Sequence, residues 1–161
     1  MDDFPNLKNP FHFLATLGGI GNIPFAPGTF GSIFSWLIFI FLSHFVNMFY
    51  VTFIGIFLSI WICETASKNL IHKDHRSIVI DELIGIWIAL LPVLYLADTQ
   101  KERTVYAIAA LLFFRILDIF KPFPVSYFDE NFKNGTGIVI DDLIAGVMAI
   151  IPSYIILTLL A

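Results

Sequence analysis

Ile138-Val-Ile-Asp-Asp-Leu-Ile-Ala-Gly-Val-Met-Ala-Ile-Ile-Pro-Ser-Tyr-Ile-Ile-Leu-Thr-Leu-Leu160 decides the fold. The run is too long for a buried strand, and it meets the roughly 20 apolar residues that an α-helix needs to cross a bilayer. Its only charges, Asp141 and Asp142, sit together near one end. Four more apolar runs precede it, at Phe30–Phe45, Val46–Cys63, Ile78–Leu96 and Val105–Phe120, and each fits a helix. The first two are short and are expected to form a tight hairpin turning near His44 and Asn47. Of the 161 residues 58% are hydrophobic and 14% charged, whereas an ordinary soluble domain is about a quarter charged and under half apolar. The reading is therefore all-α: a polytopic membrane protein of four to five membrane helices, forming one domain over residues 1–161.

The acidic start, Met1-Asp-Asp-Phe-Pro5, lacks the pattern of a removable signal peptide, so the membrane segments are expected to do the targeting. With Cys63 as the single cysteine, no intrachain disulfide is possible. A net charge of −4 without a basic stripe excludes nucleic acid as a partner.

Five helices place the N-terminus, the glycine-rich stretch Gly18–Gly31, residues 64–77 and residues 121–137 on one side. Lys8, Lys68, Lys73, Arg76, Arg115, Lys121 and Lys133 fall there or at its edge, with only Lys101 and Arg103 opposite, so that side is expected to be cytoplasmic. The acids sort the same way, with only Asp98 and Glu102 opposite.

The chain also repeats itself. Ile78-Val-Ile-Asp-Glu-Leu-Ile-Gly85 and Ile138-Val-Ile-Asp-Asp-Leu-Ile-Ala145 agree at six of eight positions, sixty residues apart. The parity of crossings makes the repeat parallel, so two acidic pairs, Asp81/Glu82 and Asp141/Asp142, are presented at one depth. Charges inside apolar helices are costly. The bland explanation is that acids in a first turn complement the helix dipole. Two matching pairs with further acids nearby point instead to a hard oxygen site for Mg²⁺ or a similar cation.

A second constellation is Arg115-Ile-Leu-Asp118-Ile-Phe-Lys121-Pro122-Phe-Pro124, where spacings of three align Arg115, Asp118 and Lys121 and the prolines stop the helix. It reads either as an internal ion pair that lets the helix insert, or as Asp118 joining a metal shell while Lys121 or Arg115 meets phosphate. A third candidate is the turn at Gly28 and Thr29, with Ser32 leading into a helix, since backbone N–H groups in glycine-rich turns bind anions; Gly135-Thr-Gly137 is a smaller one of the same sort. Glu64 and Asp74 are candidates to complete an oxygen shell. His72 and His75 read as a solvated loop, and Cys63 as a buried structural residue.

Ala26-Pro-Gly-Thr-Phe-Gly-Ser32, Ile78–Gly85, Phe114–Pro124 and Gly137–Gly146, in that order, resemble the bacterial phosphatidylglycerophosphatase A family over about residues 14–150. The resemblance implies an all-helical, Mg²⁺-dependent enzyme of the bacterial inner membrane. It would remove the terminal phosphate of an anionic phospholipid, phosphatidylglycerophosphate, to give phosphatidylglycerol. By motif it implicates Asp81, Glu82, Asp118, Lys121, Asp141 and Asp142. The independent chemistry agrees: an anionic phosphomonoester needs a cation to approach so many carboxylates, and a metal there would polarise phosphoryl oxygens and activate a water while Lys121 and Arg115 share the transition-state charge. The metal set expected is Asp81, Glu82, Asp118, Asp141, Asp142 and Glu64; Lys121, Arg115, Gly28 and Thr29 are expected at the phosphate. The chain carries no Asp-x-Asp-x-Thr, Cys-x₅-Arg or Lys-x₆-Arg-Pro phosphatase signature, which favours direct attack by water. The rival is an ion-coupled carrier with paired acids along a pathway, although a carrier should hold its acids near mid-membrane. A non-catalytic assembly factor leaves the cost of so many polar groups unexplained.

Overall fold

The computed structural model of the chain describes residues 4–70, 73–132 and 134–160. Among them are helices and no strands. In chain order these are α1 (Pro10–Ala15), α2 (Pro27–Leu42), α3 (Met48–Ala66), α4 (Ile80–Leu90), α5 (Val93–Leu96), α6 (Gln100–Phe120), α7 (Val125–Asn131) and α8 (Gly135–Leu160), with one 3₁₀ turn at Ile20–Asn22 in the glycine-rich stretch.

Local chemistry sets the ends. Asn47 starts α3 after the expected hairpin turn, its side chain accepting from the Phe49 N–H at 3.0 Å. Thr99 and Glu102 form a capping box that starts α6. At the other end of α6, Lys121 takes the left-handed conformation, φ 42°, and Pro122 follows where the helix cannot continue.

The run Ile78–Leu96 is not one helix. α4 ends at Leu90, Leu91 and Pro92 interrupt it, and α5 adds a single turn. The 11 residues of α4 rise about 16 Å, roughly half a hydrocarbon core. The apolar character of this run comes from burial in protein: Ile84, Ile86, Ala89 and Leu90 are wholly enclosed, and α2, α3, α6 and α8 pack around α4. A helix that is apolar all round reads the same whether protein or lipid surrounds it.

The outside of the bundle is apolar too. Phe53, Phe57 and Trp61 on α3, Leu112 and Ile116 on α6, and Ile151 and Leu159 on α8 are all exposed. α3 and α8 are long and apolar enough to cross a membrane, while α2, at 16 residues, is shorter. Side-chain donors tie the helices together: half-buried Trp36 Nε1 donates to the Ala107 carbonyl (2.8 Å), and the buried Trp87 Nε1 and Tyr106 hydroxyl donate to those of Ser35 (2.9 Å) and Ala89 (3.1 Å).

α4 meets α8 backbone to backbone at Gly85 and Gly146. A β-carbon on Gly146 would collide with the Gly85 carbonyl oxygen, and one on Gly85 would lie 2.8 Å from the Asp142 carbonyl oxygen. Close approach of small residues is how helices associate where no hydrophobic drive separates them from their solvent. Here it brings the two halves of the sequence repeat together about one turn from each acidic pair. Gly146→Ala should therefore force α4 from α8, at a cost of roughly 1–3 kcal/mol for overpacking. The expected result is a lower thermal midpoint in detergent together with lower activity; an unchanged midpoint would contradict the crossing.

The starts of α2, α4 and α8 and the ends of α3 and α6 gather at one end of the bundle. Ser32 donates to Glu82, Arg115 pairs with Glu82, and Thr136 donates to Glu64 across those junctions.

Candidate active site

Asp81 and Glu82 occupy the first turn of α4, whereas Asp141 and Asp142 lie about two turns into α8, which begins at Gly135. The helix dipole accounts for the first pair and cannot account for the second, because its effect fades beyond one turn. All four acids are buried, at 8%, 8%, 5% and 3% exposure in chain order. With Asp74, Asp118 and Asp129, and with Lys73, Arg76 and Lys121, they line a cleft of about 480 Å³. Among the described residues, seven carboxylates thus face three cations in one cavity.

The carboxylates differ in what holds them. Glu82 accepts from the Ser32 hydroxyl at 2.7 Å and lies 3.4 Å from the Arg115 guanidinium. The same guanidinium is clamped to Asp118 at 2.5 Å. Arg115 is outside the cleft lining, so it lies behind the carboxylates as a buttress, and the internal ion pair read from its spacing is present. Gly28 packs on this cluster: a β-carbon there would strike Glu82 Oε1 and lie 3.2 Å from Arg115 Nη2. Gly28 and Thr29 are likewise absent from the cleft wall. Their glycine is required by close packing on the carboxylate–guanidinium pair.

Asp81, Asp141 and Asp142 are different. Each has a buried carboxylate oxygen with no hydrogen-bond partner: Asp81 Oδ1, Asp141 Oδ1 and Asp142 Oδ2. An unpaired buried charged oxygen is expensive. Three of them in the wall of one cleft match the hard-oxygen donor set of a Mg²⁺-like cation. Among the described residues no three His, Cys, Asp or Glu side chains form a ready-made cage, so part of such a cation's shell would come from substrate or water, as is usual for Mg²⁺.

Lys121 bridges two acids from separate helices, reaching Asp129 Oδ1 at 2.5 Å and Asp141 Oδ2 at 2.6 Å. Burial alone would pull its ammonium down, but hydrogen bonds and charge from Asp129 and Asp141 outweigh that and hold its pKa above the usual lysine range.

Residues 13–157 match the model of a family described as phosphatidylglycerophosphatase A. The chain belongs to the phosphatidylglycerophosphatase A family. Phosphatidylglycerophosphatase A of Escherichia coli K12 is 39% identical over 146 residues, covering 89% of this chain and 81% of the relative. The protein of the same name from Haemophilus influenzae is 37% identical over 152 residues, covering 92% and 90%. A Bacteroides thetaiotaomicron relative, 35% identical over 155 residues and covering 90% and 94%, carries a provisional name, phosphatidylinositol-3-phosphatase. No solved structure matches the chain. Membership makes the chain an enzyme, a phosphatase of phospholipid metabolism, and the carrier reading has no support among these relatives.

Within this family member, the motif residues Asp81, Glu82, Asp118, Lys121, Asp141 and Asp142 all reach the cleft, and so does Asp74. Glu64 does not. It is exposed at the end of α3, where Oε1 accepts from both the backbone N–H and the hydroxyl of Thr136 at 3.1 Å, capping the start of α8. Gly135-Thr-Gly137 is part of that same helix start, with Asn134 accepting from the Gly137 N–H at 2.8 Å. His75 packs edge-on against Phe4 and accepts from the Ser77 N–H at 3.2 Å; His72 and Lys133 lie outside the described residues. Cys63 is fully buried, as expected. Asp129 was not among the residues singled out from sequence. Its only signal is the pair of prolines after Lys121, which reverses the chain so that α7 returns beside the lysine.

Proposed function

We propose that this chain hydrolyses phosphatidylglycerophosphate to phosphatidylglycerol and inorganic phosphate in the bacterial inner membrane. A divalent cation, Mg²⁺ by ligand chemistry, would draw its protein ligands from Asp81, Asp141 and Asp142, with water or substrate completing its shell. The observation that carries the reading is the set of three orphaned carboxylate oxygens in one cleft of a phosphatidylglycerophosphatase A family member. When bound, the cation supplies a Lewis acid for phosphoryl oxygens and lowers the pKa of water.

The protein's own groups do the rest. Lys121 is held protonated and presents an N–H to the phosphate. Arg115, bound to Asp118 and Glu82, offsets part of the carboxylate charge that would repel an anion. Burial of the four paired acids lowers the local dielectric and strengthens each of these contacts.

The test is phosphate release from phosphatidylglycerophosphate by purified protein in detergent. Release should cease with a chelator and return with Mg²⁺; full activity after exhaustive chelation would sink the metal assignment. A parallel arm with phosphatidylinositol 3-phosphate, the substrate class in the Bacteroides relative's provisional name, should be slower.

We further propose that α2, α3, α6 and α8 cross the bilayer, with α4 and α5 making a broken fifth segment, and that the cleft faces the cytoplasm. Support comes from the exposed apolar residues along α3, α6 and α8 and from the basic residues gathered at the cleft end. Single cysteines replacing Lys73 and Lys101, with Cys63 removed, should label from opposite faces, Lys73 from the cytoplasm. Labelling of both from one face would break this topology.

A further inference from the structure

Asp129 belongs to neither acidic pair and to none of the four motifs, yet it lines the cleft and touches Lys121. An ammonium has three N–H donors. On Lys121, one goes to Asp129 Oδ1 at 2.5 Å and one to Asp141 Oδ2 at 2.6 Å, which leaves a single donor for a ligand.

The two acids are unlike in setting. The Asp141 side chain is 7% exposed and has an orphaned second oxygen, so this carboxylate would divide its two oxygens between Lys121 and a cation in the cleft. The Asp129 side chain is 34% exposed, has no orphaned buried oxygen and stands on α7, apart from the α4–α8 crossing. Asp129 is thus the one of the two contacts that Lys121 would not share with a cation. The backbone adds its own constraint, since Lys121 sits in the left-handed region at φ 42°, a conformation that a non-glycine residue holds only when its surroundings enforce it.

We infer that Asp129 is a positioning residue: it anchors the Lys121 ammonium so that its remaining N–H meets the substrate's phosphate. This rests on the proposed phosphatase reading and adds to it the group that aims the phosphate-binding lysine. A long lysine side chain has much rotamer freedom to lose, and an anchor that removes it beforehand strengthens phosphate capture without touching the phosphate.

The test is a double-mutant cycle of Asp129→Asn and Lys121→Ala, read by phosphatidylglycerophosphate hydrolysis at saturating Mg²⁺ and by binding of inorganic phosphate. Asp129→Asn should lower kcat/KM about tenfold and weaken phosphate binding, the scale of one lost charge-assisted contact. Asp129→Glu should recover most of that loss, and in the Lys121→Ala background Asp129→Asn should add almost nothing. The Mg²⁺ midpoint of Asp129→Asn should stay at the wild-type value. Effects that multiply in the double variant, a large shift of the Mg²⁺ midpoint, or no effect of Asp129→Asn would each overturn the assignment. If the wild-type protein releases no phosphate from this lipid, the phosphatase reading fails, and the phosphate-binding cycle still decides the link between Asp129 and Lys121.

Discussion

Replacing Asp81, Asp141 or Asp142 by Asn should lower kcat by at least about a hundredfold and raise the Mg²⁺ concentration needed for half-activity, while Glu64→Gln leaves both within a fewfold of wild type. The split follows from the partners. The first three acids each keep a buried oxygen that nothing in the protein satisfies, in the wall of one cleft. An amide keeps the shape but carries no charge, and one of its two heads is a donor that cannot face a cation. Asp141 should be the most sensitive, because its other oxygen also holds Lys121 at 2.6 Å. Glu64 has a different occupation, capping α8 through Thr136, so Glu64→Gln should cost roughly 0.5–1 kcal/mol of stability and little rate. Mg²⁺ titrations of phosphate release on the four variants, with thermal midpoints measured alongside, separate the two outcomes. Wild-type metal dependence in Asp81→Asn and Asp142→Asn, or loss of activity in Glu64→Gln, would reverse the assignment.

The same division shows what the chain makes legible. The acidic pairs and their parallel repeat were readable because a charge inside an apolar run stands out and its recurrence sixty residues later leaves little room for accident. The α2–α3 hairpin was readable as a turn near His44 and Asn47, two polar residues between apolar runs. The break at Leu91–Pro92 was hidden, because the run on both sides stays apolar for a reason unrelated to lipid: α4 is enclosed by other helices. The glycine turn was legible as a turn, but whether Gly28 faces a ligand or a side chain depends on what lies across from it, and that is Glu82 and Arg115, more than fifty residues away. Glu64 and Asp129 mark the same limit. Both are acids in polar segments near the cleft end, one turned to a helix cap and the other to a lysine, and only the three-dimensional path of α7 and the start of α8 separates them.

Lys121→Ala is the second large effect expected, and its sign for metal binding separates two roles. Lys121 stands on Asp141 and Asp129 and carries a charge that an incoming phosphate would meet. If its work is phosphate binding, removing it should lower kcat/KM at saturating Mg²⁺ by roughly 2–3 kcal/mol, the scale of one charge-assisted donor lost from a dry site. Metal affinity should move the other way or hold still. Without the ammonium, Asp141 regains a free oxygen and the cleft loses a positive charge among seven carboxylates, so a cation is bound at least as well as before. If instead Lys121 served to organise the carboxylates for the cation, its loss would raise the Mg²⁺ requirement, and excess Mg²⁺ would restore the rate. Lys121→Arg adds a check: guanidinium keeps the charge but not the compact geometry that fits between two carboxylates, so it should recover only part of the loss. Kinetics across a Mg²⁺ series, with each variant first shown to insert and fold, distinguish the cases. Rescue of Lys121→Ala by Mg²⁺ alone would assign the lysine to the metal site's architecture and remove it from phosphate recognition.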